Sequence, residues 1–150
     1  MRRAAAELLG LVEDGPACVP ELLVTDLAVS LRCWRDALGF SVLYDRPEAG
    51  FAMLRREGAW IMLDQITGQD WVAAPLERPF GRGLNLEFTV ADVDALHAQV
   101  LAHGVPVYLD LHEKHYRIGP GRVHVRQFII QDPDGYLLRF SRMLGTDKLA

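Results

Sequence analysis

The stretches VPELLVTD (Val19–Asp26) and NLEFTVAD (Asn85–Asp92) decide the fold. Each alternates polar and apolar residues, as a strand with one buried face does, and each ends in Val-x-Asp. The two copies lie 66 residues apart. A helical stripe follows each Asp: Leu27, Leu31, Trp34 and Leu38 in the first, Val93, Leu96 and Val100 in the second. Asp26 and Asp92 therefore read as N-caps, whose side-chain oxygens accept free N–H groups of the first turn. Gly39 and Gly104 stop the helices, as glycine at the left-handed C′ position does.

Working outward, Phe40–Tyr44 and Val105–Leu109 read as short strands leaving the helices. Each copy closes with a hairpin, FAMLRREGAWIMLDQ and RQFIIQDPDGYLLRFSR. Glu57-Gly58 and Asp134-Gly135 sit at their tight turns, where glycine tolerates positive φ. Gly58 and Gly135 are 77 residues apart, so the second copy carries 11 extra residues, within HEKHYRIGPGRVHV. Such an internal repeat predicts an α+β fold of two βαβββ modules. Module 1 spans 18–64, a Pro/Gly-rich linker 65–83 and module 2 84–142. Residues 1–17 form an N-terminal helical extension and 143–150 a tail.

Composition narrows the function. The chain has 150 residues, 50% hydrophobic, enough to fold without disulfide or metal. Sixteen basic against 20 acidic residues give a net charge of −4, which lacks the basic footprint of a nucleic-acid binder. No apolar run reaches membrane-spanning length. The opening MRRAAAELLGLVEDG is interrupted by Glu7 and does not read as a signal peptide. Cys18 and Cys33 match no zinc spacing and read as reduced thiols. The expectation is a cytoplasmic protein with neither nucleic-acid nor membrane partner.

The segments VPELLVTDLAVSLRCWRDALGF, ERPFGRGLNLEFTVADVDAL, HYRIG and RQFIIQDPDGYLLRF resemble motifs of the vicinal oxygen chelate superfamily. That group takes in glyoxalases, extradiol dioxygenases and bleomycin-resistance proteins, and the resemblance is closest to the bleomycin-resistance branch. It implies a curled mixed-sheet cup with helices packed outside, and a homodimer with clefts between subunits. In metalloenzyme members the first and last strands of each module supply metal ligands. The matching positions here are Val19, Met62, Asn85 and Arg139. Val and Met are poor ligands for a hard divalent ion, and Arg is a fixed cation. His97, His103, His112, His115 and His124 offer no zinc motif, His97 and His103 reading as solvated. The expectation is thus no metal, no cofactor and no catalytic residue. In place of catalysis, the resemblance implies sequestration of a cationic aromatic compound, a bleomycin-type antibiotic being one example. Two alternatives stay open: a glyoxalase- or dioxygenase-type metalloenzyme with relocated ligands, and a structural or regulatory dimer with a filled cup.

Strand parity identifies what could line the cup, since residues two apart share a face. Glu21, Leu23, Asn85, Glu87, Thr89, Trp60, Met62, Asp64, Leu137, Arg139 and Ser141 fall on one face. Leu22, Val24, Ile61, Leu63, Leu84, Leu86, Phe88, Val90, Leu138 and Phe140 fall on the apolar other, the expected core. Glu21 and Glu87 are equivalent in the repeat and are expected near its pseudo-twofold axis. Their charge calls for a partner, either Arg139 or a cationic guest. Phe51, Trp60, Trp71 and Tyr116 offer aromatic faces for a planar ligand. His115, Tyr116 and Arg117 lie in the extra segment, read as a binding loop. Glu21, Phe51, Trp60, Asp64, Asn85, Glu87, His115, Tyr116, Arg117 and Arg139 are the candidate ligand-binding residues.

Overall fold

A computed structural model describes residues 9–148. Module 1 runs β1 (Glu21–Val24), α1 (Leu27–Leu31), β2 (Ser41–Arg46), β3 (Phe51–Arg56) and β4 (Ala59–Gln65). Module 2 runs β5 (Asn85–Thr89), α2 (Val93–Ala102), β6 (Val107–Ile118), β7 (Gly121–Gln131) and β8 (Leu137–Lys148). The expected repeat is present: the sheets are ordered β1-β4-β3-β2 and β5-β8-β7-β6. In each the first strand runs parallel to the last, and the other pairs are antiparallel. The two sheets remain separate, so each module presents its own polar face.

Local signals explain the boundaries. Asp26 accepts a hydrogen bond from the Val29 N–H at 2.9 Å, and Asp92 from that of Ala95 at 3.0 Å. Losing either cap exposes an unpaired N–H. Asp92→Ala is therefore expected to cost about 1 kcal/mol in a urea unfolding titration. An unchanged midpoint would remove the cap from the account. Gly39 and Gly104 take φ of 69° and 66° behind their helices. Helix α1 passes into a π-helical turn, Arg32–Ala37, closed by the Leu38 N–H on the Cys33 carbonyl. This widened turn carries Cys33, Trp34 and Ala37 inward.

Leu22, Val24, Ile61, Leu63, Phe88, Val90, Leu138 and Phe140 are all buried, as parity requires. Trp34 packs edge-on against Phe40 at 5.1 Å and Phe88 at 6.0 Å. One aromatic cluster thus joins the first helix to the second sheet. Such pairs add about 0.5–1.5 kcal/mol beyond the area they bury.

Several expectations need correction. Leu84 is exposed because it precedes β5 instead of lying in it. In the first hairpin the positive φ belongs to Glu57, at 50°, and not to Gly58. The expected tail is strand as far as Lys148, paired along β7 through Gly121↔Lys148. The extra segment of module 2 is no loop: it extends β6 and β7 into a hairpin turning between Ile118 and Gly121. Residues 112–126 and 142–148 alternate too weakly in hydropathy to announce strands, because most are solvent-facing there. Of the N-terminal extension, 9–13 are helical and 1–8 lie outside the described residues. Among the described residues, no helix is long and apolar enough to cross a membrane.

Candidate functional site

The polar face of the first sheet forms the floor of a cleft of about 900 Å³. Glu21 and Leu23 come from β1, Arg46 from β2, Phe51 from β3, and Met62 and Asp64 from β4. The linker from Thr67 to Leu76 overhangs this floor, and Tyr136 of module 2 closes one end. Two local devices hold these borders. Asp70 accepts hydrogen bonds from the Thr67 and Gly68 N–H groups at 3.0 and 2.9 Å, fixing the turn that launches Trp71. The Tyr136 hydroxyl donates to the Leu23 carbonyl at 3.0 Å. Trp71 itself is 98% exposed at the cleft border.

The register Glu21↔Met62 and Leu23↔Asp64 sets Glu21 and Asp64 on neighbouring strands of one face. Glu21 lies open along the cleft, yet its pKa is raised. Partial desolvation of its carboxyl is the largest cause, followed by the hydrogen bond and negative charge of Asp64, while Arg46 pulls the other way. The neighbouring Asp64 thus disfavours the charged form of Glu21. Asp70 is held below the usual carboxylate range, chiefly by the Thr67 N–H. The cleft therefore gathers Glu21, Asp64 and Asp70 against the single cation Arg46.

Module 2 builds a different face. Glu87 pairs with Arg139, its direct β5–β8 neighbour, and accepts from the Ser141 hydroxyl at 2.8 Å. The Gln127 amide donates to the Tyr116 hydroxyl at 2.9 Å and lies 3.0 Å from His112 Nε2. Arg139 lies 3.5 Å from the same hydroxyl. This face is an internally paired polar network, in which Gln127 Oε1 and Arg139 Nε are left buried without a partner. The repeat places Met62 where module 2 has Arg139, and Asp64 where it has Ser141. That exchange is why Glu21 has a carboxyl beside it while Glu87 has a guanidinium.

The sequence candidates thus separate. Glu21, Phe51 and Asp64 meet in the cleft. Glu87, Tyr116 and Arg139 meet on the second face, so the two repeat-related glutamates do not share one pocket. Trp60 is not among the cleft residues; its indole lies against Gly15 of the N-terminal segment. Asn85 stands exposed at the start of β5, opposite Leu137. His115 stacks on His124 with centroids 4.1 Å apart, and Arg117 turns to the Gly119 carbonyl. Alternation along β6 splits the expected trio, sending Tyr116 to one face and its two neighbours to the other. His97 packs on Phe128 with 13% of its side chain exposed, and is not the solvated residue expected. Arg46, Gln127 and Tyr136 were missed. Only Tyr136 had a signal, its place directly after the Asp134-Gly135 turn.

The metal-ligand positions do not fit a divalent ion. Val19 precedes β1, Met62 offers a thioether, Asn85 is isolated and the Arg139 guanidinium is bound to Glu87. Among the described residues no three His, Cys, Asp or Glu side chains converge to hold a metal.

The fold agrees with the comparisons to known proteins. The model of the Glyoxalase/Bleomycin resistance protein/Dioxygenase superfamily matches residues 17–140, and the chain belongs to that superfamily. No curated protein matches the sequence. Among solved structures, TioX from Micromonospora sp. ML1 is 26% identical, with a TM-score of 0.66 over 87% of this chain and 100% of that one. A protein of unknown function from Agrobacterium tumefaciens str. C58 is 25% identical, with a TM-score of 0.66 over 83% and 91% of the two chains. A glyoxalase/bleomycin resistance protein/dioxygenase from Alicyclobacillus acidocaldarius shares the fold at 18% identity, with a TM-score of 0.61 over 87% and 92%.

Proposed function

We propose that this protein is a metal-independent binding protein that sequesters a planar, cationic aromatic compound in the module 1 cleft. One observation carries the reading: the Glu21–Asp64 carboxyl pair lies on the floor of a ligand-sized cleft bordered by an exposed Trp71. Pockets of roughly 300–1,000 Å³ suit small molecules. A positive guest would relieve the carboxyl pair, and its ring would stack on the indole. Capture of this kind lowers the free concentration of a toxic compound without chemistry, which suits a relative of bleomycin-resistance proteins. A homodimer belongs to the same reading. The short strands β1 and β5 each end a sheet, and the exposed faces of both sheets offer surface to a second copy.

Titration of the purified protein with a bleomycin-type glycopeptide and a panel of planar aromatic cations tests this by Trp fluorescence. Saturable quenching is expected, lost in Trp71→Phe and unchanged by prior dialysis against a chelator. Light scattering should give twice the chain mass. Silence across the panel, confirmed by calorimetry, would overturn the binding reading. Stoichiometric metal surviving dialysis would overturn its metal-independent part.

A further inference from the structure

The cleft already holds one planar cation of its own. Arg46 ends β2 directly opposite Phe51 in the β2–β3 register, and its guanidinium carbon stands 4.0 Å from the centre of the Phe51 ring. Phe51 is only 3% exposed, so the aromatic face expected to receive a ligand is covered by this side chain and by Tyr44, 5.9 Å away. Arg46 acts on Glu21 through its charge, without a hydrogen bond to it. Arg46 is itself solvent-exposed. The arrangement is a flat, delocalised cation resting on a ring beside a carboxyl pair that it reaches by charge and not by a hydrogen bond.

We infer that Arg46 is an internal stand-in for the ligand, and that the cleft is shaped for an amidinium or guanidinium group that displaces it from Phe51. Such a group is planar, like the cation the ring already carries, and its N–H fork can serve both Glu21 and Asp64 at once. Arg46 itself is tethered at the strand end and meets Glu21 by charge without a hydrogen bond. A displaced Arg46 swings toward solvent, as its exposure permits. The inference rests on the reading of the cleft as a cation site.

Benzamidine and N-methylquinolinium serve as probes, the first with an N–H fork and the second without. Calorimetry is expected to show benzamidine binding more tightly than N-methylquinolinium. Arg46→Met keeps an apolar stem and removes the competing cation, so benzamidine affinity should rise about three- to tenfold, the range of a cation–π contact. Arg46→Lys, whose ammonium cannot lie flat on the ring, should fall between wild type and Arg46→Met. A weaker or unchanged affinity in both variants would overturn the inference, and weakening would make Arg46 a direct ligand contact instead. Binding of N-methylquinolinium without benzamidine would sink the amidinium preference and leave cation capture standing. Failure of both cations in wild type and both variants, each shown folded by its melting curve, would count against the cation site itself.

Discussion

Asp132→Ala is expected to lower the unfolding free energy by about 3–5 kcal/mol, close to the cost of stranding several buried donors together. Asp132 is 4% exposed, in the turn between β7 and β8. Its Oδ1 accepts the N–H groups of Asp134, Gly135 and Tyr136 at 3.0, 2.9 and 2.9 Å. Its Oδ2 accepts the Trp34 indole N–H at 3.3 Å, reaching back to module 1. Alanine leaves the Asp134, Tyr136 and Trp34 donors without this acceptor, while the Gly135 N–H keeps the backbone carbonyl of residue 132 at 3.0 Å. Asp132→Asn should cost less than half as much, because an amide oxygen can still take the backbone trio. Desolvation also raises the pKa of this carboxyl, so the neutral amide escapes a burial cost that the charged group bears. Urea unfolding followed by the buried Trp34 reads both variants. An alanine variant within about 1 kcal/mol of wild type would show that Asp132 does not carry the turn.

The neighbouring Asp134 shows what sequence alone leaves hidden. It reads as a hairpin residue, and its turn role holds, with Gly135 at φ 101°. Its carboxylate, however, accepts from the Thr25 hydroxyl at 2.6 Å and pairs with Arg78 at 2.7 Å. Those partners lie far away along the chain and belong to module 1 and the linker. Local pattern revealed strands, caps and stops because alternation, short oxygens and glycine act within a few residues. It also placed Glu21, Asp64, Glu87 and Arg139 on polar faces, since parity is a local property. Which sheet each face joins is not local, so the two glutamates were expected together and are found apart. The same limit hid Arg46. An arginine at a strand end carries no mark of the ring opposite it until the register Arg46↔Phe51 is formed.

The largest binding effect is expected from the carboxyl pair. Glu21→Gln combined with Asp64→Asn should weaken capture of a planar cation by at least about tenfold, since charge-assisted hydrogen bonds are worth roughly 1.5–3 kcal/mol each. The single variants should each lose part of this, and their effects should not add, because the two neighbouring groups serve one guest. The pH dependence has a definite sign. A cation binds the ionised pair, so binding releases a proton wherever Glu21 is still protonated. Glu21 titrates above its ordinary value of 4.5, mainly through desolvation with Asp64 reinforcing it. Affinity should therefore climb as pH rises through that raised pKa, then level off once the carboxyl is fully charged. Two other cleft groups do not mimic this slope: Asp70 is held low by the Thr67 N–H, and the Tyr136 hydroxyl is pushed up to about 12 by burial. Glu21→Gln should then flatten the profile as well as lower it, a signature that a purely structural carboxylate would not give. Calorimetry from about pH 4 to about 8 distinguishes the cases. A profile equally steep in wild type and Glu21→Gln would move the proton, and with it the cation, away from Glu21.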